Sequence, residues 1–534
     1  MSYFLIIVSA VLLNTANYFP ELYLFSWIGF IPLFYAFDYL SNNKKLNFSR
    51  ESKVFASSFL SNDRYKFNKL GDPSNNNQFN IKNNFFLKGY IFGFLYTALS
   101  ALFLYHPLQL HTDLSILSII LILTALFAAI SIIYALFFSF YFRTFRSFNP
   151  FIFSLAWLIL SFIRYKLLFF FPIGYLAPAQ AEFIHFIQLA DLGGFWLLTF
   201  SIVLGNSLLY QIIFKKRKRK SALIYTVILG LIISSYGFYS LDKYGEKNDF
   251  EKVEIGIITT DINQEDKWLF INIEENIKFT LDSADKLNGS KVIFAPETNI
   301  TFDLIEEEGK RNEFLKKVED NFESPIQIGS LASREYSSPP KYNSSFLISE
   351  RGEILNRYDK NRLVYFGETY PLRELYKELL SMNFNSLNSG DKITVFSYKN
   401  LSWKTMICSE ILYSDYVNKK IDKSNFLFNQ VNEGWFRNSR LLNNMMWNNA
   451  VLRAVETRRS LVKAGNQAYD GAIDLSGSYK KTPAEMNYHN LEIRLNSDTT
   501  LYSRLENYIE ITLLFLTLLS IIFIIYRIYI IVFG

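Results

Sequence analysis

Cysteine occurs once in this 534-residue chain, at Cys408 in the segment TMICSE, directly after a short apolar run. Two other ionisable residues hold equivalent positions, Glu297 in VIFAPE and Lys360 in LNRYDK. Strand ends are where α/β folds assemble their sites. A cysteine attacks as its thiolate, which a nearby ammonium stabilises while a carboxylate accepts the proton. Glu297, Lys360 and Cys408 therefore supply the three roles that thiol chemistry requires. Glu297 is a better candidate base than any histidine. The four histidines, His106, His111, His185 and His489, lie far from Cys408 in sequence, and only His489 shares its region. They also lack metal-ligand spacing, so no metal site and no cofactor are expected. Taken alone, a lone cysteine is more often a small buried hydrophobe, and lone carboxylates and lysines are usually solvated.

The elements that must position these residues follow from hydrophobic periodicity. Val253–Thr259, Lys291–Phe294, Ile326–Gly329, Ser345–Ser349, Ile393–Tyr398 and Trp403–Ile407 read as strands, while Trp268–Asn288 and Asn444–Val462 read as helices. Residues 242–506 are thus expected to form a soluble-type α/β domain, two-layered or sandwiched.

The rest of the chain has another character. Hydrophobic residues make up 50% of the sequence and charged ones only 19%, too apolar a balance for a simple soluble enzyme. Apolar runs near 3–19, 22–40, 86–106, 113–142, 149–171, 187–214, 221–241 and 507–533 approach the roughly 20 residues that a membrane span needs. About eight transmembrane helices are expected, seven of them within 1–241 and the last within 507–534. The first run lacks a basic flank and a small-residue cleavage site, so it reads as a retained helix. A net charge of +6 would ordinarily raise nucleic-acid binding, but the densest basic run, Lys215–Lys220, separates two spans and reads as a topology signal. That run, the Lys/Arg-rich loop 41–88 and the turn bearing Arg143 and Arg146 all fall on one side, whereas 105–113 and 171–182 contain no Lys or Arg. Both termini are then cytoplasmic and 242–506 extracytoplasmic. The 41–88 loop, rich in Asn, Ser and Lys, is expected to be mobile.

Several blocks, in order, resemble the apolipoprotein N-acyltransferases, membrane members of the nitrilase (carbon–nitrogen hydrolase) superfamily. They are APET around Glu297, RYDKNRLVYFGETYPL from Arg357, ICSEI around Cys408, NEGWF from Asn432, LRAVETRR from Leu452, KAGNQAYDG from Lys463 and TLYSRLENY before the last span. A further segment, FFPIGYLAPAQ from Phe170, also resembles the family. The resemblance implies a nitrilase-like αββα sandwich outside the bacterial inner membrane, with Glu297 as general base, Lys360 stabilising the oxyanion or thiolate, and Cys408 as nucleophile. It further implies supporting roles for Glu368, Glu410 and the aromatic Trp268. Asn432, Trp435 and Phe436 are candidates for the substrate pocket. Ser409, Ala295 and Met446 depart from the family pattern, as does NEGWF in place of NDAWF, which bears on substrate preference and rate more than on reaction type.

The activity so implied is acyl transfer from a phospholipid, through a Cys408 thioester, to the α-amino group of the diacylglyceryl-cysteine that begins an apolipoprotein. Water must be excluded, or the thioester would hydrolyse. Two rival readings use the same chain differently: a membrane-tethered amidase that passes the acyl group to water, and a catalytically inactive lipid-binding or transport protein. The spans hold few charged residues, which disfavours transport.

Overall fold

A computed structural model describes residues 1–37, 85–112, 114–145, 148–167, 172–334, 341–365, 367–369, 386–482 and 486–533. Among these, seven helices are long and apolar enough to cross a membrane. Six precede the sheet-bearing region: α2 (Pro20–Phe37), α3 (Phe85–Leu110), α4 (Ile116–Thr144), α5 (Pro150–Leu167), α6 (Ala190–Phe214) and α7 (Lys216–Tyr244). The seventh is C-terminal, Leu501–Phe533. The first apolar run forms α1 (Ser2–Tyr18), a 17-residue helix shorter than a full span. Most of the expected 41–88 loop lies outside the described residues, as does Arg146, but its last four positions already belong to α3.

Lipid cannot hydrogen-bond a backbone, so helices that satisfy their own amides are the natural solution here. Within the bundle, α6 is the most enclosed helix. By contrast α4, α7 and the C-terminal helix expose Ile116, Leu117, Leu223, Ile224, Ile511 and Phe515, side chains that hydrocarbon solvates without cost. The abundance of Phe is explained by packing among helices: Phe30 meets Trp157 edge-on at 4.6 Å, and Phe34 meets Phe153 at 4.8 Å.

Residues between the spans form two six-stranded sheets. In the first, the strands are β1 (Lys252–Ile258), β2 (Ile293–Phe294), β3 (Ile326–Ala332), β4 (Tyr342–Ile348), β5 (Ile354–Asp359) and β12 (Tyr488–Arg494), in the order β12-β1-β2-β3-β4-β5. The second holds β6 (Val395–Tyr398), β7 (Leu401–Ile407), β8 (Phe426–Asn432), β9 (Ser460–Asn466), β10 (Gly471–Ile473) and β11 (Tyr479–Lys481), in the order β11-β10-β9-β8-β7-β6. Strands β1, β2 and β3 run parallel, as do β7, β8 and β9, so each set directs its C-terminal ends toward one edge.

The sheets face one another across Phe294, Trp403, Phe426 and Phe428, with Phe294 and Phe428 only 4.4 Å apart. One polar stitch crosses this apolar layer. Gln327 donates to Thr405 Oγ1 at 2.8 Å and accepts from the Trp403 indole, which satisfies groups that would otherwise be buried unpaired. Helices α8 (Gln264–Lys267), α9 (Ile273–Asp285) and α10 (Glu308–Asn321) lie on the side of the first sheet, where Leu287, Phe314 and Val318 pack on Ile293, Ile326 and Phe346. Helix α11 (Arg440–Thr457) packs beside the second sheet, completing the αββα arrangement.

Two expected helices are displaced. The segment Trp268–Asn288 becomes α-helical only as α9, from Ile273, after a 3-10 turn at Phe270–Asn272. The segment Asn444–Val462 divides: α11 ends where Arg458 adopts φ +50°, and the β-branched and small residues that follow become β9, paired in parallel with β8. Sequence periodicity cannot separate a buried polar helix from the buried strand that follows it. The C-terminal helix, α12 (Leu501–Phe533), likewise starts earlier than 507, and α7 continues past 241.

The sandwich is bolted to the bundle through α11. Arg458 donates to Asp191 of α6 at 2.7 Å, to Ser240 of α7 and to Gln188, all buried. Glu456 accepts from the Phe195 amide at 2.8 Å and from Ser414. Asn444 donates to the carbonyls of Asn17 and Tyr18 at the end of α1, both at 3.1 Å.

Candidate active site

Glu297, Lys360 and Cys408 each follow the last residues of a strand, β2, β5 and β7 respectively. Glu297 hangs on the turn after β2, and that turn crosses to the other sheet. Its amide donates to Val431 O of β8 at 3.4 Å, while Gln430 donates to Ala295 O at 2.7 Å. The turn can lie this close to β3 only because position 329 is glycine. A Cβ there would sit 2.5 Å from Thr298 N and 2.8 Å from Pro296 O.

Cys408 opens a 3-10 turn, Cys408–Leu412, at φ +52°. A non-glycine residue in that region carries about 1–3 kcal/mol of strain, which surrounding contacts must offset. Here the offset comes from Glu410. Its carboxylate accepts from Ile407 N at 2.8 Å, Asn361 N at 2.8 Å, Arg362 N at 3.0 Å and the Tyr358 hydroxyl at 2.7 Å. One side chain thus ties the residue before Cys408 to the two residues after Lys360. Asn429 adds a bond to Cys408 O at 3.3 Å.

Lys360 is buried, with its ammonium 2.8–2.9 Å from Glu368 and 3.7 Å from Glu297 Oε1. Between the two carboxylates stands Asn343 of β4, donating to Glu297 Oε1 and to Glu368 Oε1, each at 2.7 Å. Its backbone carbonyl also accepts from Lys360 N at 2.8 Å. The second oxygen of Glu297, Oε2, is buried and has no hydrogen-bond partner among the described residues.

The electrostatics follow from this enclosure. Burial pushes the Cys408 thiol well above its ordinary pKa, Glu297 pushes in the same direction, and Lys360 pulls it back. Glu297 is also raised, by burial first, with Lys360 opposing. For Lys360, burial alone would lower the pKa, but Glu368 and then Glu297 outweigh it and keep the ammonium charged. Enclosure thus favours the neutral thiol of Cys408 over its thiolate, and Lys360 opposes that preference.

The remaining candidates are placed less uniformly. Glu368 and Glu410 are joined to the other site residues by the bonds just described. Trp268 follows α8 and is 38% exposed; it is the preceding residue, Lys267, that turns inward, donating to Glu297 O at 3.1 Å. Asn432 is buried, its amide committed to Gln264, Asn466 and Gly434, so it shapes the turn after β8. Trp435 and Phe436 are partly buried, and Phe436 meets Phe103 of α3 edge-on at 5.5 Å. The neighbouring Arg437 donates to Gln109 of α3, so this rim lies against the membrane helices. Ala295, Ser409 and Met446 are all buried, Met446 within the core formed by α11.

Asn343 and Lys267 were missed in the sequence. Asn343 lies in YNSSFLI, a strand that holds no charged residue itself, and Lys267 is overshadowed by the tryptophan beside it. Nothing local marks either residue. A strand residue donating to two carboxylates is visible only once β3, β4 and β5 are in register.

The family model described as "Apolipoprotein N-acyltransferase N-terminal domain" matches residues 74–208, and that described as "Carbon-nitrogen hydrolase" matches 260–458. The apolipoprotein N-acyltransferase of Geobacter metallireducens is 27% identical over 368 residues, covering 66% of this chain and 70% of its own length. That of Chlorobaculum tepidum is 24% identical over 379 residues, covering 62% and 69%. Apolipoprotein N-acyltransferase 2 of Treponema denticola is 26% identical over 370 residues, covering 62% and 67%. Among solved structures, an amidase from Nesterenkonia sp. aligns with 49% of this chain and 95% of its own at 14% identity and a TM-score of 0.34.

Proposed function

This chain belongs to the apolipoprotein N-acyltransferase family, carrying both of its domains in order, and on that premise we propose that Cys408 carries a phospholipid-derived acyl group to the amino terminus of a diacylglyceryl apolipoprotein. It is a multi-pass membrane acyltransferase; the chemistry of its two half-reactions follows from the site geometry.

In the first half-reaction, Cys408 Sγ attacks the ester carbonyl of a phospholipid while its proton passes to Glu297 Oε2. Lys360 offsets the negative charge that develops on the carbonyl oxygen, in a site where water does not screen it. Collapse of the tetrahedral centre breaks the ester C–O bond, and Glu297 returns its proton to the departing lysophospholipid oxygen. A thioester remains. In the second half-reaction, the α-amino group of the acceptor attacks the thioester, Glu297 takes the amine proton, and the thiol is regenerated as the C–S bond breaks. Glu368 and Asn343 keep Lys360 and Glu297 in place throughout.

The observation that carries this reading is Glu297 Oε2, a buried carboxylate oxygen with no donor among the described residues, while Oε1 of the same group is held by Asn343 and lies near Lys360. A base held free of partners beside a strained cysteine suits proton removal. The Lys/Arg-rich loops favour a sandwich outside the cytoplasm, where both lipid-anchored substrates would meet it at the membrane face, and the contacts of Phe436 and Arg437 with α3 support a sandwich seated against the membrane helices.

The test is incubation of the detergent-purified protein with acyl-labelled phospholipid, followed by hydroxylamine. A hydroxylamine-sensitive adduct is expected on the unaltered protein and not on Cys408→Ala, and its decay should accelerate when a diacylglyceryl-cysteine peptide is added. Absence of the adduct refutes the first half-reaction. An adduct whose decay ignores the peptide assigns the acyl group to water.

A further inference from the structure

Glu297 has a cationic neighbour besides Lys360. Lys267, the last residue of α8, is buried, and its ammonium donates to the backbone carbonyl of Glu297 at 3.1 Å. Its own backbone carbonyl accepts from Asn276 of α9, so it is gripped from two elements. The other charged side chains of its helix are engaged elsewhere: Glu265 pairs with Arg437, and Asp266 accepts from Asn263.

A count of charge gives Lys267 a purpose. Lys360 faces two carboxylates, the buried Glu297 and the partly buried Glu368, and stands closer to Glu368 than to Glu297, at 2.8 against 3.7 Å. Glu433, from the turn after β8, adds a further carboxylate to the field of Glu297, although its own charge is met by Lys463 at 2.7 Å. With Lys360 alone, the cluster of Glu297, Glu368 and Cys408 carries an uncompensated negative charge, which a low-dielectric site disfavours. Moving the thiol proton to Glu297 leaves that excess unchanged. A second cation removes it.

We propose that Lys267 is a positioning residue for Glu297: its buried ammonium holds the Glu297 peptide carbonyl and supplies the second positive charge that keeps the carboxylate ionised and ready to take the thiol proton. The two functions support one another. The backbone bond steadies a turn in which the next residue, Thr298, is held at φ +46°, and the charge acts on the side chain projecting from that turn. Burial draws the Lys267 ammonium down and Glu297 opposes it, the balance lying at about 8, so the two groups are linked in their ionisation.

The inference rests on the thioester reading above, and its test separates the two. Single-turnover thioester formation is measured from pH 5 to 9 on the full-length protein in detergent, for the unaltered chain and for Lys267→Met, Lys267→Gln and Lys267→Arg, with Cys408→Ala as blank. Removal of a nearby cation raises the pKa of a carboxylate, so Lys267→Met is expected to move the acid limb up by about one pH unit. Lys267→Gln keeps an N–H donor for the Glu297 carbonyl and serves if the methionine variant does not fold; the same shift is expected. Lys267→Arg keeps the charge and should return the limb toward its original position. An acid limb that stays put in both neutral variants, whatever their rates, overturns the proposal and leaves Lys267 a packing residue. If the unaltered protein itself forms no thioester, it is the thioester reading that fails.

Discussion

Replacing Glu410 by glutamine tests whether one carboxylate holds the nucleophile and the cation together. Glu410 Oε1 accepts from the amides of Asn361 and Arg362, and Oε2 from the amide of Ile407, while the Tyr358 hydroxyl reaches both oxygens. An amide side chain has one acceptor oxygen. If that oxygen faces Asn361 and Arg362, the new NH2 can donate to Tyr358, but the Ile407 amide loses its acceptor. The opposite orientation strands two amides and is the worse choice. Hydrogen bonds to charged groups contribute about 1.5–3 kcal/mol each, so the better orientation costs about that much at the residue preceding Cys408. Because Cys408 sits at φ +52°, the cost falls on a turn already under strain. If it appears fully in the transition state, thioester formation slows about 10–100-fold. Glu410→Ala, which strands all three amides, should be slower still. The assay is single-turnover transfer of label from phospholipid to protein at neutral pH, with thermal unfolding in detergent recorded alongside. Glu410→Gln acting within about threefold of the unaltered rate would refute the idea that this carboxylate positions the Cys408 turn.

Four other outcomes are expected. The rate of thioester formation should fall as pH drops through the pKa of Glu297; since burial raises that pKa, the fall begins above the ordinary carboxylate range, and a profile flat down to pH 4.5 would contradict it. Gly329→Ala places a methyl group against Thr298 N and Pro296 O, so overpacking of about 1–3 kcal/mol should displace Glu297 and depress acylation more than it depresses the unfolding temperature; an equal loss of both argues for global damage. Arg458→Ala leaves Asp191 buried without its cation, at a cost of about 3–5 kcal/mol, which protease sensitivity of the sandwich in detergent should reveal, and resistance equal to that of the unaltered protein would argue against the bolt. For topology, a Cys408→Ala protein with Lys286→Cys, an exposed position on the sandwich, should react with impermeant thiol reagents in intact cells; labelling only after lysis would reverse the orientation.

Much of the fold can be read along the chain because its signals are local. Membrane helices announce themselves by runs of apolar residues, and the strands leading to Glu297, Lys360 and Cys408 by short apolar segments. Where local signals conflict, reading fails. The polar helix α11 holds Asn443, Asn444, Asn448, Asn449, Arg453 and Glu456 buried, because its partners are the membrane helices and loops rather than water. Its composition suggests neither burial nor the point at which it gives way to β9. Trp268 drew attention as a large aromatic, yet it is the side chain beside it that reaches Glu297.

What the sequence determined by itself is the division into spans and sandwich, the order of the blocks, and the residue types available for thiol chemistry. These depend on composition and on neighbours a few positions apart. Only the tertiary structure decided which residues share the site. Asn343 stands 46 residues from Glu297 and 25 from Glu368, and it joins them because β4 lies antiparallel between β3 and β5. Glu410 reaches back 49 positions to Asn361 because the strands before them end at the same edge of facing sheets. Lys267 comes to Glu297 from 30 residues away as the last residue of a helix of four. Such meetings depend on sheet order and register, which are set by the whole packed domain and leave no mark on the local sequence.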